Sequence, residues 1–238
     1  MFSQWFKTFI HNVDSDFKNE LYSIYDVPYL KDCLESTTYW EPHCQMFDTI
    51  NLHEFNKDSK ILDIGIWFGV MTWALKQYGF HNIECTDARS HCKWDIFTQL
   101  WNKFEINPFE FEVFQNKLFE LPHKYDLILL TKTNMFWKTD EIISYVNGQV
   151  SNQYQIEGAD NNIWTFFSVW QYDAYMYFIN NIKDYLEPNG IAIIQPEPFI
   201  YNEWPDKYFK ELNLFARYQN RYYNKIDQPL TDYFVICK

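Results

Sequence analysis

Residues 61–70 read Ile-Leu-Asp-Ile-Gly-Ile-Trp-Phe-Gly-Val, and this run limits the folds open to the chain more than any other. A short apolar strand reaches an acid, Asp63, and the chain then turns through Gly65 and Gly69 into a helical pattern. Only 6 glycines occur in 238 residues, so two of them this close together mark a turn that requires them. A buried strand that turns through glycines into a helix is how many α/β domains receive a nucleotide-like ligand. Trp67 stands where a third, central glycine is expected.

The flanking pattern alternates between strand and helix. Strands are expected at 60–64, 82–86 and 126–130, with helices at 70–78 and 91–104, the first closed by Gly79. Phe109, Phe111 and Val113 alternate with Glu110 and Glu112, the period of a half-buried strand. A ring-rich helix is expected over 164–186, then a turn at Pro188-Asn189-Gly190 and a buried strand at 191–194. Segments 212–223 and 232–237 read as a closing antiparallel pair. Such alternation argues for an α/β fold, a mostly parallel sheet covered on both faces. Ahead of it, residues 1–57 read as a helical cap whose helices break near Pro28 and Pro42. The polar, aperiodic stretch 147–162 is long for a connection and reads as a lid.

Charge and composition narrow the partners. A formal charge of −12 without a basic cluster sets long-range repulsion against nucleic acid and favours a neutral or cationic small molecule. Aromatic residues make up 21% of the chain, more than a core of this size needs, so some rings are expected to line a pocket or interface. The five cysteines form no CxxC pair and read as reduced thiols in a cytoplasmic protein. No signal-peptide pattern and no run of 18 apolar residues is present, so no integral membrane contact is expected. Phe2, Trp5, Phe6, Phe9, Ile10 and Val13 share one helical face, for packing against the domain or against a second copy in a homo-oligomer.

Over residues 58–238 the chain resembles the class I S-adenosylmethionine-dependent methyltransferases. That family's first motif runs strand, acid, then three glycines at alternate positions, and Asp63, Gly65, Trp67 and Gly69 occupy those places. An acid ending strand two holds the ribose in the family, and Asp87 in Ile-Glu-Cys-Thr-Asp-Ala matches it. Asn116 looks like the polar residue near the adenine, and Thr131 follows strand four. The segments 121–130 and 185–190 resemble the usual entries to strands four and five. The resemblance implies a three-layer α/β sandwich with a seven-stranded, mostly parallel sheet ending in an antiparallel hairpin. It also implies S-adenosylmethionine as cofactor, bound through Asp63, Gly65, Trp67, Gly69, Asp87, Asn116 and Thr131.

Physical chemistry supports that mapping and leaves alternatives at three positions. Backbone N–H groups of the turn and the helix N-terminus suit a carboxylate, and Asp87 offers two acceptors to a ribose diol. Asp63 would favour a cationic neighbour, or else caps its loop; Asp87 would alternatively cap the following helix. A Trp at position 67 obstructs approach to a pyrophosphate, which weighs against NAD and FAD. Its ring either contacts the cofactor or fills core, and a positive φ there would be strained.

The implied activity is methyl transfer to a small-molecule acceptor, apolar, aromatic or amine-bearing. Alignment supplies much of the acceleration of such a displacement, and a base is needed only if the acceptor loses a proton. His43 is the candidate for that base. The segment Thr131-Lys132-Thr133-Asn134 lacks the Asn-Pro-Pro-Tyr motif of amide and nucleobase N-methyltransferases. His43-Cys44 and His91-Cys92 are adjacent pairs without a second spaced pair, so no metal site is expected. The rival readings are a non-catalytic binding protein that retains the fold, and an aminopropyltransferase-like enzyme.

Overall fold

The computed structural model describes residues 1–87, 93–110, 121–131, 181–195 and 234–238. The chain divides into two compact units, residues 1–111 and 112–238. Among the described residues it is an α/β fold with six α-helices and six strands, both parallel and antiparallel.

The first unit opens with helices α1 (Phe2–His11), α2 (Ser15–Ile24), α3 (Pro28–Glu35) and α4 (Thr37–Thr49). In α1, Phe2, Phe6 and Ile10 recur every fourth residue and are fully buried, the stripe that an amphipathic helix needs. Phe2 meets Phe47 of α4 edge-on at 5.0 Å. Trp5 and Phe9 of the same helix reach Tyr78 (4.8 Å) and Trp73 (4.7 Å). Phe2, Phe6 and Ile10 of the expected apolar face are thus covered inside this unit, while Trp5, Phe9 and Val13 are half-buried. The first turn of α1 is tied down by Asp48, whose carboxylate accepts from the Ser3 N–H (3.2 Å) and the Ser3 hydroxyl. Asp48→Ala leaves that helix end without its acceptor and is expected to cost about 1 kcal/mol, read as a lower Tm with unchanged helix content.

Asp14 caps α2 by accepting from the N–H groups of Asp16 and Phe17, and Pro28 starts α3 where its missing N–H costs nothing. The break expected at Pro42 does not occur, because α4 runs through it. Burial of Trp40, Met46 and Phe47 on that helix outweighs the one backbone bond a proline removes.

Three parallel strands complete the unit: β1 (Ile61–Ile64), β2 (Ile83–Asp87) and β3 (Phe109–Glu110), with β2 between the other two. Helix α5 (Val70–Gln77) follows β1, and α6 (Trp94–Lys103) follows β2. Gly79 has φ 107° just beyond α5, as expected of its C-terminal glycine.

In the second unit β4 (Tyr125–Thr131) pairs in parallel with β5 (Leu186–Gln195), and β6 (Phe234–Cys237) pairs antiparallel with β5. Leu127, Ile128, Leu129 and Leu130 are fully buried, the apolar run of a strand covered on both faces. The turn expected at 188–190 lies inside β5. Tyr125 pairs with Leu186 but Leu127 pairs with Ile191, so Pro188, Asn189 and Gly190 bulge out of the ladder. A Cβ on Gly190 would sit 2.7 Å from the Tyr125 carbonyl oxygen, so no larger residue fits.

Cys33, Cys44, Cys85 and Cys237 are reduced, not disulfide-bonded, and burial pushes the Cys44 and Cys85 thiols up to about 12. Among the described residues no helix is long and apolar enough to cross a membrane. Asn116, His91, Cys92, the lid at 147–162 and the expected strand at 212–223 lie outside the described residues, as does most of the helix expected over 164–186.

Candidate functional site

The site candidate is the turn between β1 and α5. Parallel pairing sets Asp63 opposite Cys85 and Ile64 opposite Thr86, which brings Asp87 level with the start of the turn. The N–H groups of Gly65 (2.8 Å) and Ile66 (3.2 Å) both donate to the Thr86 carbonyl. Gly65 (φ 74°) and Gly69 (φ 85°) adopt the left-handed backbone that glycine permits. Gly69 is also sterically required, since a Cβ there would lie 2.4 Å from Ile106 Cδ1.

Trp67 is itself left-handed, at φ 48°, an uncommon conformation for a bulky residue that costs on the order of 1–2 kcal/mol. Its peptide groups are held on both sides. Its N–H donates to Asp87 Oδ2 at 2.6 Å, and its carbonyl accepts from the Trp101 indole N–H at 2.8 Å. Its ring stacks on Phe68 at 3.7 Å and leans on Tyr29 at 4.7 Å. The charge-assisted bond to Asp87 offsets much of the backbone cost. Asp87 therefore serves the turn's own backbone.

Asp63 is buried and accepts from the Thr72 hydroxyl at 2.7 Å. Burial raises its carboxyl from 3.8 to about 6; the Thr72 hydrogen bond opposes that rise, and the negative charge of Asp87 adds to it. Burial and the negative charge of Asp87 both oppose ionisation of Asp63, so a cation beside it is favoured. The first hydrogen bond of α5 runs from the Trp73 N–H to the Gly69 carbonyl (2.9 Å). The N–H groups of Val70, Met71 and Thr72 thus precede the helical ladder and form its positive end. A diol that donates hydrogen bonds, a cation and an anion can all be met within one turn, and these are the polar groups that S-adenosylmethionine presents.

The structure brings Asp63, Gly65, Trp67, Gly69 and Asp87 together. His43 lies elsewhere in the first unit, buried on α4 with its ring 5.3 Å from Trp40. Thr131 ends β4 in the second unit, opposite Gln195. Two participants escaped the sequence reading. Thr72 is signalled only as a polar residue between buried Met71 and Ala74, and Trp101 by nothing local.

No family model matches the chain, and no curated protein does. Solved structures that it resembles include several S-adenosylmethionine-dependent methyltransferases. One, from Clostridium acetobutylicum ATCC 824, is 17% identical, with 74% of this chain and 56% of that one covered and a TM-score of 0.39. Another is CalS10 from Micromonospora echinaspora, an amino pentose methyltransferase with the cofactor bound: 11% identical, 64% and 48% covered, TM-score 0.36. A third is the glycopeptide N-methyltransferase MtfA with S-adenosyl-L-homocysteine: 9% identical, 65% and 51% covered, TM-score 0.37. The matched region spans about half the length of these proteins. At such identities and TM-scores no activity follows from the likeness.

Proposed function

We propose that the chain binds S-adenosylmethionine at the turn between β1 and α5 and directs methyl transfer to a small apolar, aromatic or amine-bearing molecule. The observation that carries this reading is the pair of buried carboxylates, Asp63 and Asp87, flanking a turn with two left-handed glycines. The cofactor supplies a methyl group on a cationic sulfur. Asp87 would accept from the ribose hydroxyls, sharing its oxygens with the Trp67 N–H. The amino end of α5 would take the ligand carboxylate, and the Asp63–Asp87 pair would favour its positive charges.

Asn116 and Thr131 are carried over from the family resemblance as further contacts, and His43 is kept from the residue pattern of the N-terminal segment as the base for an acceptor that must lose a proton. A seven-stranded sheet, a helical cap at 1–57 ahead of a cofactor domain at 58–238, and a cytoplasmic setting belong to the same reading.

Calorimetry with S-adenosylmethionine and S-adenosyl-L-homocysteine tests it. Binding of at least one is expected, and Asp87→Asn should weaken it roughly 10- to 100-fold through loss of a charged acceptor. No detectable heat for either ligand at millimolar concentration rejects the reading.

One observation favours a second reading, a binding protein without catalysis. Asp87 is engaged by Trp67, whose ring lies against Phe68 and Tyr29. In that case Trp67→Gly would release the turn and create cofactor binding that the native chain lacks.

A further inference from the structure

A concave site lies away from that turn. Helices α1, α2 and α5 enclose a groove of about 480 Å³, lined by Trp5, Phe9, Asp14, Phe17, Trp73 and Gln77 among others, and none of its lining residues is basic. Four of these are aromatic, and each is only half-buried, whereas the core rings of this unit, such as Phe2 and Phe6, are fully enclosed. Trp73 stacks on Phe104 (4.7 Å) and also meets Phe9 (4.7 Å, edge-on) and Phe17 (5.6 Å, tilted), and Trp5 lies parallel to Phe9 at 5.0 Å. Asp14 is exposed. Its Oδ1 accepts from the N–H groups of Asp16 and Phe17, and Oδ2 has no hydrogen bond among the described residues.

We propose that this groove binds a small molecule through a quaternary or tertiary alkylammonium group, with the aromatic rings meeting the cation and Asp14 closing its charge. Ring faces carry negative potential and attract a cation whose alkyl shell also buries apolar surface. A neutral apolar ligand would use the rings but not the carboxylate. A compact, hydrated ammonium would use the carboxylate but lose its hydration against four rings. An alkylated cation satisfies both, and the chain's net charge of −12 draws it in. None of the lining residues belongs to the β1–α5 turn, so the proposal stands whether or not that turn binds a cofactor.

Two probes of one shape separate the cases: choline, and its neutral isostere 3,3-dimethylbutan-1-ol. With the full chain and no other ligand, calorimetry or NMR titration should show choline binding roughly tenfold or more tighter than the isostere. Asp14→Asn keeps the helix cap, because asparagine caps as well as aspartate, and should weaken choline roughly three- to tenfold. Trp5→Leu keeps apolar bulk but removes a ring, and should weaken choline similarly while leaving the isostere unchanged. Equal affinity for the two probes overturns the proposal. So does absence of choline binding at about 50 mM, or choline binding that neither variant alters.

Discussion

Asp63→Asn is expected to make the protein more stable at about pH 8, by about 3 kcal/mol, and to leave stability at about pH 3 unchanged. The reason is the buried carboxyl, which burial raises from 3.8 to about 6. Between those values the folded chain keeps a proton that the unfolded chain has released. Stability therefore falls as pH rises through this window, and the contribution present below 3.8 is gone above about 6. Asparagine has no proton to lose. Its amide oxygen can still accept from the Thr72 hydroxyl, which now donates to Asp63 at 2.7 Å. Thermal melts across this range should show the two proteins converging at low pH and separating by roughly 6–12 °C at high pH. A variant less stable than the native chain at every pH would mean that the hydrogen-bond partner matters more than the buried charge.

A residue that costs stability at neutral pH calls for a compensating use, and a cation beside Asp63 and Asp87 provides one. The proposed sulfonium ligand should bind more tightly as pH rises through about 6, because the ionised carboxyl is the form that attracts it. The thioether product lacks the sulfonium charge and should respond less. In Asp63→Asn the gain in stability should come with weaker binding of the cationic ligand.

Part of this arrangement was legible in the residue order. A scarce residue type repeated across a turn, with an apolar strand before it and a helical pattern after it, gave β1, the turn and α5 together. The acid at the end of β2 was legible for the same reason. What could not be read were interactions fixed by register and packing. The bond from Trp67 to Asp87 depends on β1 and β2 pairing in one particular offset, and the Trp101–Trp67 bond on how α6 lies against the turn. Pro42 and the bulge at 188–190 failed in another way. Local punctuation predicted a break or a turn, and the surrounding burial carried the helix and strand through.

Gly69→Ala should cost about 2–4 kcal/mol, and Gly79→Ala only about 1 kcal/mol, although both glycines have positive φ. The left-handed backbone penalises alanine at both positions, so the difference isolates packing. At Gly79 the nearest atom to an added Cβ is Lys57 Cδ at 3.8 Å, an ordinary contact. At Gly69 the Cβ meets Ile106 Cδ1 at 2.4 Å and Trp101 Cδ1 at 3.0 Å. Ile106 is only 5% exposed and Trp101 1%, so neither can swing aside into solvent. Moving Trp101 also disturbs the indole N–H that holds the Trp67 carbonyl, and with it the strained residue that Asp87 steadies from the other side. Urea titration should therefore give a large loss for Gly69→Ala, together with weakened ligand binding, and a small loss with normal binding for Gly79→Ala. Equal losses would mean that the turn relaxes around an added methyl, and that Trp101 does not fix the geometry of Trp67.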